Sequence, residues 1–172
     1  MKRMLLFLLV TFVVPVTLWA AQIPAAEINQ PIVPGQWHKS LDKALAMGEA
    51  EGIPVIVFWS SPTCTKCDTV INNAINTPEF TKWREDRGVL LVVGEGSVKG
   101  SEGKKIYDWV KKATSSDGGN SYPYIRVYWQ KRDGTLKADY RFSAYAYRVH
   151  LSMINQLERF IGDFNTAGRA EF

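Results

Sequence analysis

Residues 53–67 read IPVIVFWSSPTCTKC and include both cysteines of the chain, Cys64 and Cys67. The run from Ile53 to Trp59 is apolar and rich in β-branched residues, which is the pattern of a buried strand. After Cys67 the apolar residues recur at helical spacing as far as Ile75. The pattern therefore predicts that Cys64 lies where a strand passes into the first turn of a helix.

That position favours a reactive sulfur at Cys64. The first turn of a helix carries unpaired backbone N–H groups and the positive end of the helix dipole, and both stabilise a thiolate. The thiolate is the form of cysteine that attacks disulfides. We therefore expect Cys64 to attack a substrate disulfide and Cys67, one turn further along the helix, to resolve the mixed disulfide.

Three other interpretations of the cysteine pair stay open. A purely structural disulfide across so short a loop would stabilise the fold by only about 2 kcal/mol through restriction of the unfolded chain. A zinc site would need two further ligands, and the chain has only His38 and His150 as histidines. Soft thiolates suit Cu(I), so copper handling is the better metal alternative. For disulfide exchange itself we expect no metal and no dissociable cofactor.

Length and composition fit one folded domain preceded by a targeting segment. The chain has 172 residues, 46% of them hydrophobic, which is enough for one core. A basic start, Lys2-Arg3, precedes an uncharged apolar run that ends at Ala21, the pattern of a secretory signal peptide. We expect a signal peptide over 1–21, a proline-punctuated linker over 22–36 and the domain over 37–172, in a protein exported to the periplasm or the cell exterior. An uncleaved membrane anchor is the alternative for the first segment.

The charge balance gives no support for nucleic-acid binding. The chain has 21 basic and 17 acidic residues, and it lacks the cluster of Lys and Arg interleaved with aromatic residues that such a surface needs. In an exported protein, two cysteines three positions apart fit a catalytic disulfide better than a stapled scaffold, which usually has more cysteines at wider spacing.

Apolar periodicity and capping signals predict the remaining elements. They give, in order, a helix over 40–52, the strand and the cysteine helix, a helix over 77–88, a strand over 89–93, a helix over 106–113, a hairpin over 124–142 and a last helix over 145–164. A strand–helix–strand unit of this length implies parallel pairing. The order predicts an α/β fold with a central four-stranded mixed sheet flanked by helices.

Three features between residues 37 and 164 occur together in a known superfamily. They are the apolar strand before the cysteines, Cys64-Thr65-Lys66-Cys67 at the start of a helix, and Tyr122-Pro123 before a later strand. In these features the chain resembles thioredoxin-like proteins. Within the superfamily it is most similar to exported thioredoxin-like domains, such as the C-terminal domain of DsbD-type thiol reductases.

The resemblance implies which residues form the site. Cys64 and Cys67 correspond to the catalytic pair, and the loop with Tyr122 and Pro123 is expected to face them, with Pro123 in a cis peptide bond. We assign substrate binding to this loop and to the residues that flank the cysteines, Thr63, Thr65 and Lys66.

The chain departs from thioredoxin at three places. Val57 occupies the position of a buried acid, so a carboxylate within the strand to take the proton of the second thiol is missing. Thr65-Lys66 replaces Gly-Pro between the cysteines, and the bulky Tyr122 precedes the expected cis-proline.

The sequence therefore predicts an exported thiol–disulfide oxidoreductase, a reductase or isomerase rather than an oxidase. Its expected partners are protein thiols and disulfides and an electron donor, with no nucleic acid and a membrane only through an uncleaved anchor. The alternative is a non-catalytic thioredoxin-fold module that binds a partner protein or copper.

Overall fold

The computed structural model describes residues 21–61, 63–95, 122–130 and 136–169. The strands are β1 Trp37–His38, β2 Val55–Ser60, β3 Leu90–Glu95, β4 Tyr124–Gln130 and β5 Leu136–Ser143. The helices are α1 Leu41–Glu51, α2 Thr65–Val70, α3 Pro78–Arg87 and α4 His150–Arg169, with a π-helical turn over Ile71–Ile75 and a 3-10 turn over Ala144–Tyr147. The predicted helix over 106–113 and the predicted turn of the hairpin lie outside the described residues.

The described strands form one mixed sheet in the order β1-β3-β2-β4-β5. β3 pairs in parallel with β1 and β2, whereas β4 pairs in antiparallel with β2 and β5. The predicted parallel unit and hairpin are therefore confirmed. The predicted number of four strands is wrong, because Trp37 and His38 pair with Leu91 and Val92 as a fifth strand. Two residues are too few to show an alternating pattern in the sequence.

Capping residues set the helix ends that the sequence predicted. The Ser40 hydroxyl accepts a hydrogen bond from the Lys43 N–H, and the Thr77 hydroxyl accepts one from the Phe80 N–H. Each hydroxyl satisfies a backbone donor that the first helical turn leaves unpaired. Gly52 and Gly88 end α1 and α3 with positive φ angles of 67° and 62°, a conformation that glycine adopts without a steric penalty.

Helices cover both faces of the sheet, and each face holds its own buried core. On one face α1 packs on β2 and β3, with these core side chains: Leu41, Ala44, Leu45, Val55, Val57, Leu90 and Val92. On the other face α2, the π-helical turn and α4 pack on the sheet through Phe58, Val70, Ile71, Ile125, Met153 and Leu157. β2 contributes to both cores because its successive side chains point to opposite faces. This central strand leads directly to Cys64.

The last helix begins later than the sequence predicted. Residues Ala144–Tyr147 form a 3-10 turn, and α4 starts at His150 instead of near Tyr145. The Ala144 N–H is bonded to the Pro123 carbonyl at 3.1 Å, which ties this turn to the loop before β4.

No helix within the described ranges is both long enough and apolar enough to span a bilayer.

Residues 22–36, the predicted linker, contact the domain at several points. Ala26 forms an isolated parallel bridge with His38, and the Gly35 N–H donates to the Val89 carbonyl at 2.7 Å. The Asn76 side chain donates to the Gln22 carbonyl at 2.9 Å. This segment therefore lies along the domain surface. Residues 1–20 of the predicted signal peptide lie outside the described residues.

The Trp59 ring leaves no room for a side chain at Gly94 in β3. Gly94 pairs with Trp59, and a Cβ at Gly94 would lie 2.6 Å from the nearest atom of the Trp59 ring. We expect Gly94→Ala to lower the free energy of unfolding by about 1–3 kcal/mol, because the added methyl overpacks the core. Denaturant unfolding measures this loss.

Gly162→Ala is the matched control for this prediction. Gly162 lies within α4, and a Cβ there would meet nothing within 4 Å. Because alanine is a better helix former than glycine, this variant should gain about 0.5–1 kcal/mol. Equal effects of the two substitutions would contradict the close contact between Gly94 and Trp59.

Candidate functional site

Cys64 and Cys67 form a disulfide at the junction of β2 and α2, with their Cα atoms 5.2 Å apart. Cys64 is the N-cap of α2, and its sulfur accepts a hydrogen bond from the Cys67 N–H at 3.1 Å. Its carbonyl accepts bonds from the N–H groups of Cys67 and Asp68 at 2.9 and 3.3 Å. The predicted strand-to-helix placement is confirmed. A backbone donor already points at the Cys64 sulfur, and the same donor can stabilise a thiolate there.

The two cysteines differ in their exposure to solvent. Cys67 is 2% exposed and lies in α2 before the buried Val70 and Ile71, whereas Cys64 is half-buried. Cys64 is therefore the more accessible cysteine of the pair. This asymmetry suits an attacking sulfur and a resolving sulfur in the predicted order.

The Tyr122-Pro123 peptide bond is cis, as predicted. Tyr124, the first residue of β4, lies opposite Trp59 in β2, so the Tyr122-Pro123 loop reaches the same edge of the sheet as the chain that leads into Cys64. Three aromatic rings line this edge. Tyr122 stacks on Tyr124 at 5.7 Å between ring centroids, and Tyr124 stacks on Trp59 at 5.9 Å.

The predicted flanking residues lie on the surface beside the disulfide. Thr63, Thr65 and Lys66 are exposed. The Lys66 ammonium lies 5.4 Å from the centroid of the Tyr145 ring, which belongs to the 3-10 turn that packs against α2. Sequence reasoning missed Tyr145 and its neighbour Arg148 as members of this surface. The sequence pattern predicts the first turn of the last helix there, and only the tertiary contact with Lys66 places these residues beside the cysteines.

A partly open cavity of about 340 Å³ lies beside the buried sulfur of Cys67. Its polar lining comes from Gln22, Lys39, Ser60, Ser61 and Asp68. Val57 is fully buried in the opposite core and supplies no polar group. Asp68 is therefore the acidic residue of the described chain that lines this cavity with Cys67, and the cavity gives the buried sulfur a polar route to solvent.

The described part of the chain contains no group of three or more His, Cys, Asp or Glu residues that could hold a metal ion. His38 is buried, and its Nε2 lies 3.0 Å from both the backbone nitrogen and the carbonyl oxygen of Val33. It belongs to the packing of β1.

Comparison with known proteins identifies the fold. A family model for thioredoxin-like proteins matches residues 36–128. A solution structure of a thioredoxin from Thermus thermophilus aligns with a TM-score of 0.57 at 18% identity, over 77% of this chain and 91% of that chain. Comparison with curated protein sequences found no match.

Two further solved structures align less closely. The oxidised DsbD C-terminal domain from Neisseria meningitidis has a TM-score of 0.43 at 15% identity, over 67% of this chain and 87% of that chain. The disulphide isomerase from Xylella fastidiosa Temecula1 has a TM-score of 0.47 at 12% identity, over 70% of this chain and 88% of that chain.

Proposed function

Because the chain belongs to the thioredoxin-like family, we propose that it is an exported thiol–disulfide oxidoreductase, a reductase or isomerase, whose exchange centre is the Cys64–Cys67 pair. One observation carries the proposal. Cys64 caps α2 and is half-buried, whereas Cys67 is buried, and this difference in access suits an attacking and a resolving cysteine. A disulfide that only stabilises the fold does not need one cysteine to be more accessible than the other.

The reduced protein would start the reaction at Cys64. Its thiolate attacks one sulfur of a substrate disulfide, a bond forms between Cys64 and that sulfur, and the second substrate sulfur leaves as a thiolate that takes up a proton. The N–H donor at 3.1 Å and the helix N-terminus stabilise the attacking thiolate. The product of this step is a mixed disulfide.

Cys67 would complete the reduction. Its thiol loses a proton and attacks the Cys64 sulfur, and the remaining substrate sulfur leaves as a thiolate. The substrate has then gained two electrons, and the Cys64–Cys67 disulfide has formed. The proton of the buried Cys67 can leave through the polar cavity that Asp68 and Lys39 line. In an isomerase cycle a second substrate thiol would resolve the mixed disulfide instead.

The surroundings of the reaction are also part of the proposal. Protein disulfides are the substrates, and a dithiol donor returns the pair to its reduced form. Export rests on the basic start and the apolar run of residues 1–21. An equilibrium titration of the purified domain against reduced and oxidised glutathione tests the exchange centre, because structural disulfides usually resist reduction by glutathione whereas an exchange-active pair responds reversibly to the thiol ratio.

A further inference from the structure

Two cations lie close to the Tyr145 ring, and one of them, Lys66, belongs to the cysteine helix α2. The Lys66 ammonium is 5.4 Å from its centroid, and the Arg148 guanidinium carbon is 5.1 Å from it. The Arg148 guanidinium also donates a hydrogen bond to the Tyr145 carbonyl at 3.4 Å. The negative face of an aromatic ring attracts cations, so Tyr145 holds both charges on one small surface.

This group borders the predicted substrate side of the disulfide. Lys66 lies in the first turn of α2, two residues after Cys64. Tyr145 follows Ala144, whose N–H is bonded to the Pro123 carbonyl at 3.1 Å. Lys66 therefore belongs to the cysteine helix, and Arg148 is bonded to the 3-10 turn that is in turn bonded to the proline loop.

Both cations are exposed, and neither forms an ion pair with any residue in the described ranges. Arg148 is followed by two exposed aliphatic side chains, Val149 at 52% and Leu151 at 61% exposure. The nearby titratable groups along the same segments are Asp68, which lines the cavity, and His150. We call Lys66, Tyr145, Arg148, Val149 and Leu151 the Tyr145 surface.

We infer that the Tyr145 surface binds substrate proteins whose disulfide is flanked by acidic and apolar residues. This inference rests on the proposed function and names its substrate class. Unpaired cations attract a carboxylate and raise the rate of encounter, while the exposed aliphatic side chains and the ring offer contact to apolar neighbours. A nucleic acid or another polyanion would need more than two cations to bind. Because Cys64 reacts with disulfides in the proposed function, the partner that fits this surface is a protein with a disulfide.

Two disulfide-bonded peptides of equal length test the inference, one with Asp and Glu beside its cysteines and the other with Lys. The reduced protein should reduce the acidic peptide about tenfold faster at low salt, and added salt should narrow the difference because it screens exposed charges. Each rate is divided by the rate with hydroxyethyl disulfide, which is uncharged. This ratio removes any effect of the charges on the Cys64 thiolate itself.

Reversal of the two charges tests whether Lys66 and Arg148 cause the preference for the acidic peptide. Lys66→Glu combined with Arg148→Glu should invert the preference, so that the Lys-flanked peptide reacts faster. The matched control is Lys43→Glu combined with Arg159→Glu, which makes the same change in net charge at exposed residues of α1 and α4 that form no ion pair with described residues. The control should keep the preference of the natural protein.

The outcomes separate this inference from the proposed function. If the natural protein reduces both peptides at equal normalised rates at every salt concentration, or if the control inverts the preference as well, the inference is wrong while exchange at Cys64 stands. If it reduces neither peptide nor hydroxyethyl disulfide, the proposed function fails. Equal peptide rates together with cosedimentation on phosphatidylglycerol vesicles, lost in the Lys66→Glu, Arg148→Glu variant, would assign the surface to lipid and overturn the inference.

Discussion

Cys64→Ser should abolish catalysed reduction of a protein disulfide, with a loss on the order of a thousandfold or more in rate, since a hydroxyl cannot replace the attacking thiolate. The half-buried Cys64 is the sulfur that a substrate can reach, and it caps the helix that stabilises its charge. The rate is measured as dithiothreitol-driven reduction of a model protein disulfide. Covalent complexes are sought on non-reducing gels after the reduced variant and the substrate are mixed without dithiothreitol. No covalent complex with the substrate should form.

The serine variant is also expected to fold. A serine hydroxyl at residue 64 can accept the Cys67 N–H as the sulfur does, because serine is a good N-cap residue. An unchanged circular dichroism spectrum would show that any loss of activity is chemical. A mixed disulfide that accumulated in Cys64→Ser would assign the attack to Cys67 and contradict the order of the two sulfurs.

Cys67→Ser should leave the attack intact and stop its resolution. Cys67 is 2% exposed and lies three residues from Cys64 within one disulfide, so in the natural protein it resolves the mixed disulfide within the molecule. An external thiol must replace this step in the variant, and we expect turnover to fall by about a hundredfold or more because the advantage of proximity is lost. The covalent complex should therefore accumulate.

Non-reducing gels and intact mass detect that complex, and a small thiol such as dithiothreitol should release it. Cys64→Ser in the same preparation is the control, since it should show no complex. A Cys67→Ser protein that turned over at the natural rate would mean that Cys67 has no role in resolution. The Cys pair would then act through Cys64 alone, as in an isomerase cycle resolved by the substrate.

The sequence predicted those parts of the fold that local chemistry determines. Ser40 and Thr77 cap helices and Gly52 and Gly88 end them, because each satisfies backbone groups within a few residues. β1 was missed because its two residues gain strand structure only by pairing with Leu91 and Val92. Its pairing is a tertiary contact, which no local pattern indicates.

In the candidate site, too, the parts that depend on local sequence were predictable and the parts that depend on tertiary contacts were not. Cys64 at the helix start was predictable from periodicity, and the cis bond before Pro123 was predicted from the family resemblance; the structure has both. The Tyr145 surface and the cavity beside Cys67 were not predicted. They join segments far apart in the chain, such as Lys66 with Tyr145 and Lys39 with Asp68, and only the packing of the 3-10 turn and the N-terminal segment brings these together.

The central claim is that Cys64 and Cys67 form a redox-active pair. The most direct measurement is the fraction of oxidised pair in the purified domain at equilibrium with defined ratios of reduced and oxidised glutathione, read by alkylation and intact mass. The account predicts one reversible two-electron transition with a midpoint between about −270 and −120 mV, the range of known disulfide oxidoreductases. A pair that stayed oxidised at every ratio, or that failed to re-form its disulfide after reduction, would contradict it.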